Sequence, residues 1–134
     1  MCGDLRHNVQ GLDFLLGQDL DILSIDVYTN GEVFPLYGSS IRRFLERGGV
    51  LVWGIVPTNF EYFEKEDMAS LEKRLEGMWL SLKKKGIDLE LLLSQSMLSP
   101  ATCCLVNPDG EKTVEKAFKI IRRLSERLRE KYHL

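Results

Sequence analysis

Two adjacent thiols, Cys103 and Cys104, lie in the stretch LSPATCCLVNPDG, which runs from Leu98 to Gly110 after an apolar run and before a long helical pattern. The third cysteine, Cys2, stands near the other end of the sequence. Three cysteines without framework spacing point to a reducing compartment, and so to metal binding, catalysis or packing rather than disulfides. Two thiolates and one carboxylate are fitting ligands for tetrahedral zinc, with the fourth position left to a substrate. The carboxylate in best position is Asp26, in SIDVY. No CxxC or HxxxH pair is present to reinforce the reading.

The elements that must position these groups alternate along the chain. NVQGLDFLLG carries Val9, Leu12, Leu15 and Leu16 at helical spacing, with Gly17 as its stop. LDILSIDVY (20–28) reads as a strand. GSSIRRFLERGG reads as a short helix with Ser39 or Ser40 as N-cap and Gly48 at its end. VLVWGIV (50–56) is almost continuously apolar, as a parallel strand covered on both faces would be. A longer helix follows, from about Glu66 to Lys85, with Met68, Leu71, Leu75, Trp79 and Leu82 as its stripe. LELLLSQ (89–95) is the third strand candidate, although ELLL also suits a helical turn. NPDG marks a turn, and the last helix runs from about Glu111 to Tyr132, lined by Val114, Ala117, Phe118, Ile121, Leu124 and Leu128.

This order predicts an α/β fold of parallel βαβ units in a single domain over 1–134. Three parallel strands leave both sheet edges open, and exposed edges are usually covered or paired. The chain therefore reads as a wedge of a larger parallel structure.

Ligands of parallel sheets sit at the carboxyl ends of the strands. The residues expected there are Asp26 and Tyr28 after the first strand and Pro57 and Thr58 after the second. After the third come Ser94, Gln95 and Ser96, followed by Cys103 and Cys104. Plainer readings exist for each. A free cysteine is most often a small buried hydrophobe. Asp26 can simply cap a turn, and Tyr28 can simply cover the rim. His7 and Glu32 fit surface positions. The basic residues Lys119, Arg122, Arg123 and Arg127 of the last helix fit a solvated face interleaved with acids.

Four stretches resemble one superfamily: CGDL at 2–5, LDILSIDVYTNGE at 20–32, FLERGGVLVWGIVPT at 44–58 and GIDLELLLSQSMLSPATCCL at 86–105. Their order and spacing are similar to the C-terminal part of the cobalamin-independent methionine synthases and uroporphyrinogen decarboxylases. The resemblance implies a (β/α)₈ barrel, of which this chain would be the last three strands with their helices. It also implies the zinc-dependent thiol methyltransferase branch, since the decarboxylases use no metal.

In that branch the metal is held by a His-x-Cys pair, an acidic residue and a final cysteine. Cys2, Asp26 and Cys103 match three of these positions, with Cys104 as the alternative to Cys103. Tyr28, Thr58 and Ser96 would line the substrate side. The histidine would fall one residue before Met1, so this sequence lacks it. Asp26 is one methylene shorter than the glutamate common in methionine synthases, and ATCCL carries one residue more than the usual SCGL.

The resemblance thus implies a module, inactive alone, that an N-terminal half-barrel polypeptide would complete, with a thiol as substrate. Zinc would be bound only in the completed barrel and absent from the isolated chain. The alternative is a non-catalytic α/β protein that covers its sheet by forming a homo-oligomer.

Composition excludes other classes. The formal net charge of −2 gives no electrostatic footprint for nucleic acid. No apolar stretch approaches the roughly 20 residues of a membrane span. Asp4, Arg6 and Asp13 are foreign to a signal peptide, so a cytoplasmic location is expected. A chain of 134 residues buries roughly two-thirds of its unfolded surface, enough for one core.

Overall fold

The structure, a computed structural model, describes residues 9–102 and 107–134. Helix α1 (Val9–Leu16) leads into strand β1 (Ile22–Asp26) and a single helical turn, α2 (Val27–Asn30). A 3₁₀ segment (Phe34–Tyr37) passes directly into α3 (Gly38–Glu46), and β2 (Val50–Val56) follows. Then come α4 (Phe60–Glu64), α5 (Met68–Lys84), α6 (Leu89–Ser94), β3 (Ser96–Pro100) and α7 (Lys112–Tyr132). The strands form one parallel sheet in chain order, β1-β2-β3. The fold is therefore α/β with a small parallel sheet, as the alternation predicts.

Three local expectations are corrected. First, residues 89–94 are helical, and the third strand is the next segment, Ser96–Pro100. Asp88 caps α6 by accepting a hydrogen bond from the Glu90 amide at 3.1 Å, and Leu92 and Leu93 turn to the core. Leucines, which are not branched at Cβ, lose little rotamer freedom in a helix, so nothing in this run resists helix formation. Second, neither Ser39 nor Ser40 caps α3. The helix grows out of the 3₁₀ segment with Tyr37 at the cap position and no side-chain cap bond. Ser40 instead lies inside it and donates to Asp13 of α1 at 2.5 Å. Third, Phe118 is 52% exposed and leaves the stripe of α7, which is carried by Thr113, Ala117, Leu124 and Leu128.

The two faces of the sheet differ sharply. Leu23 and Ile25 of β1 pair in register with Leu51 and Trp53 of β2, and all four are buried against the helices. An edge-to-face row of rings, Phe34–Trp53–Trp79–Tyr132, ties this face through α5 to α7, with centroids 5.3, 6.2 and 6.1 Å apart. Such pairs add about 0.5–1.5 kcal/mol each beyond the area they bury. Glu72, buried on α5, is held by Arg127 at 2.6 Å and Lys131 at 3.2 Å from α7, so Arg127 is not merely part of a solvated face.

The opposite face carries Ile22 and Ser24 of β1, Val50 and Val52 of β2 and Met97 of β3, in register across the sheet. Ile22 is 57% and Met97 55% exposed, and both valines are only half-buried. The apolar run of β2 predicts cover on both faces. Among the described residues the opposite face has it only at its carboxyl end, where Asp26, Gly54 and Val56 are buried.

Candidate functional site

The carboxyl ends of the strands form a rim, and local backbone rules place its residues. Asp26, the last residue of β1, is buried and N-caps α2: its Oδ1 accepts from the Thr29 amide at 3.0 Å. Asn30 closes the turn by donating to the Asp26 carbonyl at 2.9 Å. One hydrogen bond to a backbone amide orients a carboxylate without exhausting its acceptor capacity, since two oxygens offer several lone pairs. Asp26 thus does what its plainer reading says, and still presents a carboxylate of the type a metal requires.

Tyr28 stands two residues further on, in α2. Its hydroxyl donates to Glu66 Oε1 at 2.9 Å, and Arg74 holds the same oxygen at 2.8 Å. Ser70 donates to Glu66 Oε2 at 2.5 Å. The Arg74 guanidinium also lies 5.0 Å from the centre of the Tyr28 ring, and Tyr62 meets that ring edge-on. Burial, followed by the hydrogen bond to Glu66 and the charge of that carboxylate, pushes the Tyr28 hydroxyl up to about 12. Tyr28 therefore stays protonated, a donor rather than a base, across the physiological range. Glu66 is the residue that sequence reasoning missed. It lies in a polar run ahead of α5, 38 positions from Tyr28, and carries no local motif.

Thr58 follows β2 and is fully buried. Its hydroxyl lies 3.1 Å from the Thr102 hydroxyl, in the loop after β3. Asn107 completes this join. Its Nδ2 donates to the Thr58 carbonyl and its Oδ1 accepts from the Phe60 amide, each at 2.9 Å. The NPDG turn thus pins the loops after β2 and β3 together.

Gly54 allows the same approach from below. A Cβ there would lie 2.8 Å from the Ile25 carbonyl oxygen, 3.0 Å from that of Pro100 and 3.1 Å from Ala101 Cα. The β2–β3 register shifts at this point, so the chain after β3 crosses close over the middle strand.

Ser94, Gln95 and Ser96 lie at the opposite end of the sheet, because the third strand begins at Ser96 rather than ending there. Ser96 accepts from the Trp53 indole at 2.9 Å and donates to the Leu92 carbonyl at 2.5 Å. Gln95 donates to the carbonyls of Leu45 and Gly49. The placement of Ser96 on the ligand-facing rim is therefore corrected; these contacts hold the amino edge together.

Cys2, Cys103 and Cys104 lie outside the described residues, so of the three expected metal ligands only Asp26 has described geometry. Among the described residues no three of His, Cys, Asp and Glu converge as a metal site. Among the same residues no helix is long and apolar enough to cross a membrane. No family model matches the chain, and neither the curated proteins nor the solved structures contain a match to it.

Proposed function

We propose that the chain is the closing segment of a (β/α)₈ barrel whose remaining strands come from another polypeptide, and that the completed barrel is a zinc-dependent thiol methyltransferase. The observation that carries this reading is the sheet: parallel, in chain order, helix-covered on one face and, on the other, partly exposed at the apolar residues Ile22, Val50, Val52 and Met97 of its amino-terminal half. All-parallel sheets are stable when both faces are covered, and in a barrel the second face becomes the packed interior. Asp26 adds a buried carboxylate at the carboxyl rim, where barrel enzymes keep their chemistry.

In the completed barrel Cys2, Asp26 and Cys103 would hold zinc, and the histidine of the His-x-Cys pair would come from the partner. Bound there, zinc would keep a thiol substrate as its thiolate, a nucleophile at neutral pH. Tyr28, a neutral donor beside Asp26 in sequence, would face the substrate side. The cytoplasm is the compartment that keeps such thiols reduced.

The test is co-expression with the front βα units of a zinc-dependent member of that superfamily, followed by elemental analysis of the purified complex. The proposal expects about one zinc per complex, lost on Cys103→Ser and on Asp26→Asn. A complex that forms without zinc refutes it. The same partly exposed face favours a second reading, a non-catalytic chain that buries it against a second copy. Light scattering that shows a stable homodimer indifferent to the front half would select that reading.

A further inference from the structure

A cleft of about 680 Å³ opens between the free edge of β3 and the second half of α7, away from the carboxyl rim. One part of its wall is apolar: Leu98 from β3, Trp79 from α5, and Ile121 and Leu128 from α7. Its polar groups are unevenly committed. Arg122 is paired with Glu126 at 3.0 Å, and the Ser94 and Ser96 hydroxyls donate to the backbone of α6. Ser125 and Arg129 also line the cleft, one helical turn apart on the same face of α7. Neither side chain has a hydrogen bond or ion pair to another described residue. The Trp79 indole N–H is buried in the wall without a partner among the described residues. Clefts of this size, with an apolar wall and a few convergent donors, are the usual form of small-molecule sites.

We infer that this cleft binds a small organic carboxylate with a flat apolar body, the body lying against Trp79, Leu98 and Leu128 and the carboxylate held by Arg129 and Ser125. A guanidinium and a hydroxyl set one turn apart match the two oxygens of a carboxylate and offer a phenol or amide much less. A small hydrophilic anion would gain no packing against the apolar part of the wall, so the apolar body adds to the affinity of a larger carboxylate. A strand pairing with the open edge of β3 would cross the mouth of this cleft. The ligand-bound chain and the completed barrel are therefore alternative states, and ligand binding is tested on the chain by itself.

The chain has two tryptophans, so its ¹H–¹⁵N spectrum holds two indole resonances. Trp53 donates to Ser96, another residue of the cleft lining, so its resonance is told apart by its loss of that bond in Ser96→Ala and followed as a second reporter. The ¹⁵N-labelled chain is titrated with 3-phenylpropanoate and, separately, with the neutral 3-phenylpropanamide. The expected result is a saturable shift of the Trp79 resonance with the carboxylate, and affinity about tenfold weaker for the amide. Arg129→Ala, on an exposed helix position, should remove that preference and leave amide binding unchanged. The proposal is overturned if the Trp79 resonance stays still up to about 10 mM carboxylate, if acid and amide bind alike, or if Arg129→Ala keeps the preference.

Discussion

One chemical change, glycine to alanine, should act with opposite sign at two positions of this chain. At Gly54 the added Cβ meets backbone atoms on two sides, the nearest at 2.8 and 3.0 Å. Backbone in the middle of a sheet cannot swing aside as a side chain can. Relief requires moving β1 or the crossing after β3, and overpacking of this kind costs about 1–3 kcal/mol. For a chain of this size each kcal/mol lowers the melting temperature by roughly 4 °C, so Gly54→Ala should melt about 4–12 °C lower. At Gly77, inside α5, the same Cβ meets nothing within 4 Å. Alanine there recovers the helix propensity that glycine forfeits, about 0.5–1 kcal/mol, or roughly 2–4 °C upward. Thermal melts followed by circular dichroism at one fixed protein concentration give both values. If Gly54→Ala melts at or above the parent, the close crossing over β2 is not a feature of the folded chain. If Gly77→Ala melts lower, the open space beside α5 is not there.

Replacing Glu66 with Gln removes the charge beside the Tyr28 hydroxyl, so absorbance titration at 295 nm should show one tyrosine ionising nearer its ordinary value of 10.0. In the parent, a folded value raised to about 12 means that this group's stabilisation is full below pH 10 and is lost as pH climbs from 10 to 12, a loss that Glu66→Gln should shrink. Asn107→Ala leaves the Thr58 carbonyl and the Phe60 amide without their side-chain partner, and denaturant unfolding should report a loss of about 1–3 kcal/mol. Burial pushes Glu76 up, but hydrogen bonds from Lys131 and Tyr132 and the charge of Lys131 carry it below 4.5. Its contribution is therefore present above that value and lost as pH falls through the folded one, so Glu76→Gln should flatten the acid limb of a stability–pH curve.

The parts of this fold that are legible in the sequence are those whose patterns are local. β1 and β2 are rich in Ile and Val, and α5 and α7 hold their stripes over 17 and 21 residues. β3 is illegible for the opposite reason. SMLSP contains no β-branched residue and ends in a proline, which an edge strand tolerates; its extended form comes from pairing with β2, a contact between distant segments. The leucines just before it carry the stronger local signal and draw the strand assignment onto a helix.

The candidate site divides in the same way. Asp26 and Tyr28 are legible as rim residues because a readable strand leads to them, although it ends at Asp26 and Tyr28 already belongs to α2. Glu66 and Asn107 act through partners 38 and 49 positions away, Tyr28 and Thr58, and composition around them says only polar loop and turn.

The exposed amino-terminal half of this sheet face would make the folding equilibrium of the chain a question of mass action if a partner covered it. A partner over Ile22, Val50, Val52 and Met97 would bind the folded form and not the unfolded one, so its free concentration would enter the stability directly. Each tenfold rise in a saturating partner adds about 1.4 kcal/mol. A partner present a hundredfold above its dissociation constant would supply about 2.7 kcal/mol, a sizeable share of what holds a domain of this size together. The abundance of the folded chain in a cell would then follow the supply of its partner: copies made in excess would be the first to unfold and be degraded, and stoichiometry would be kept without any dedicated regulator.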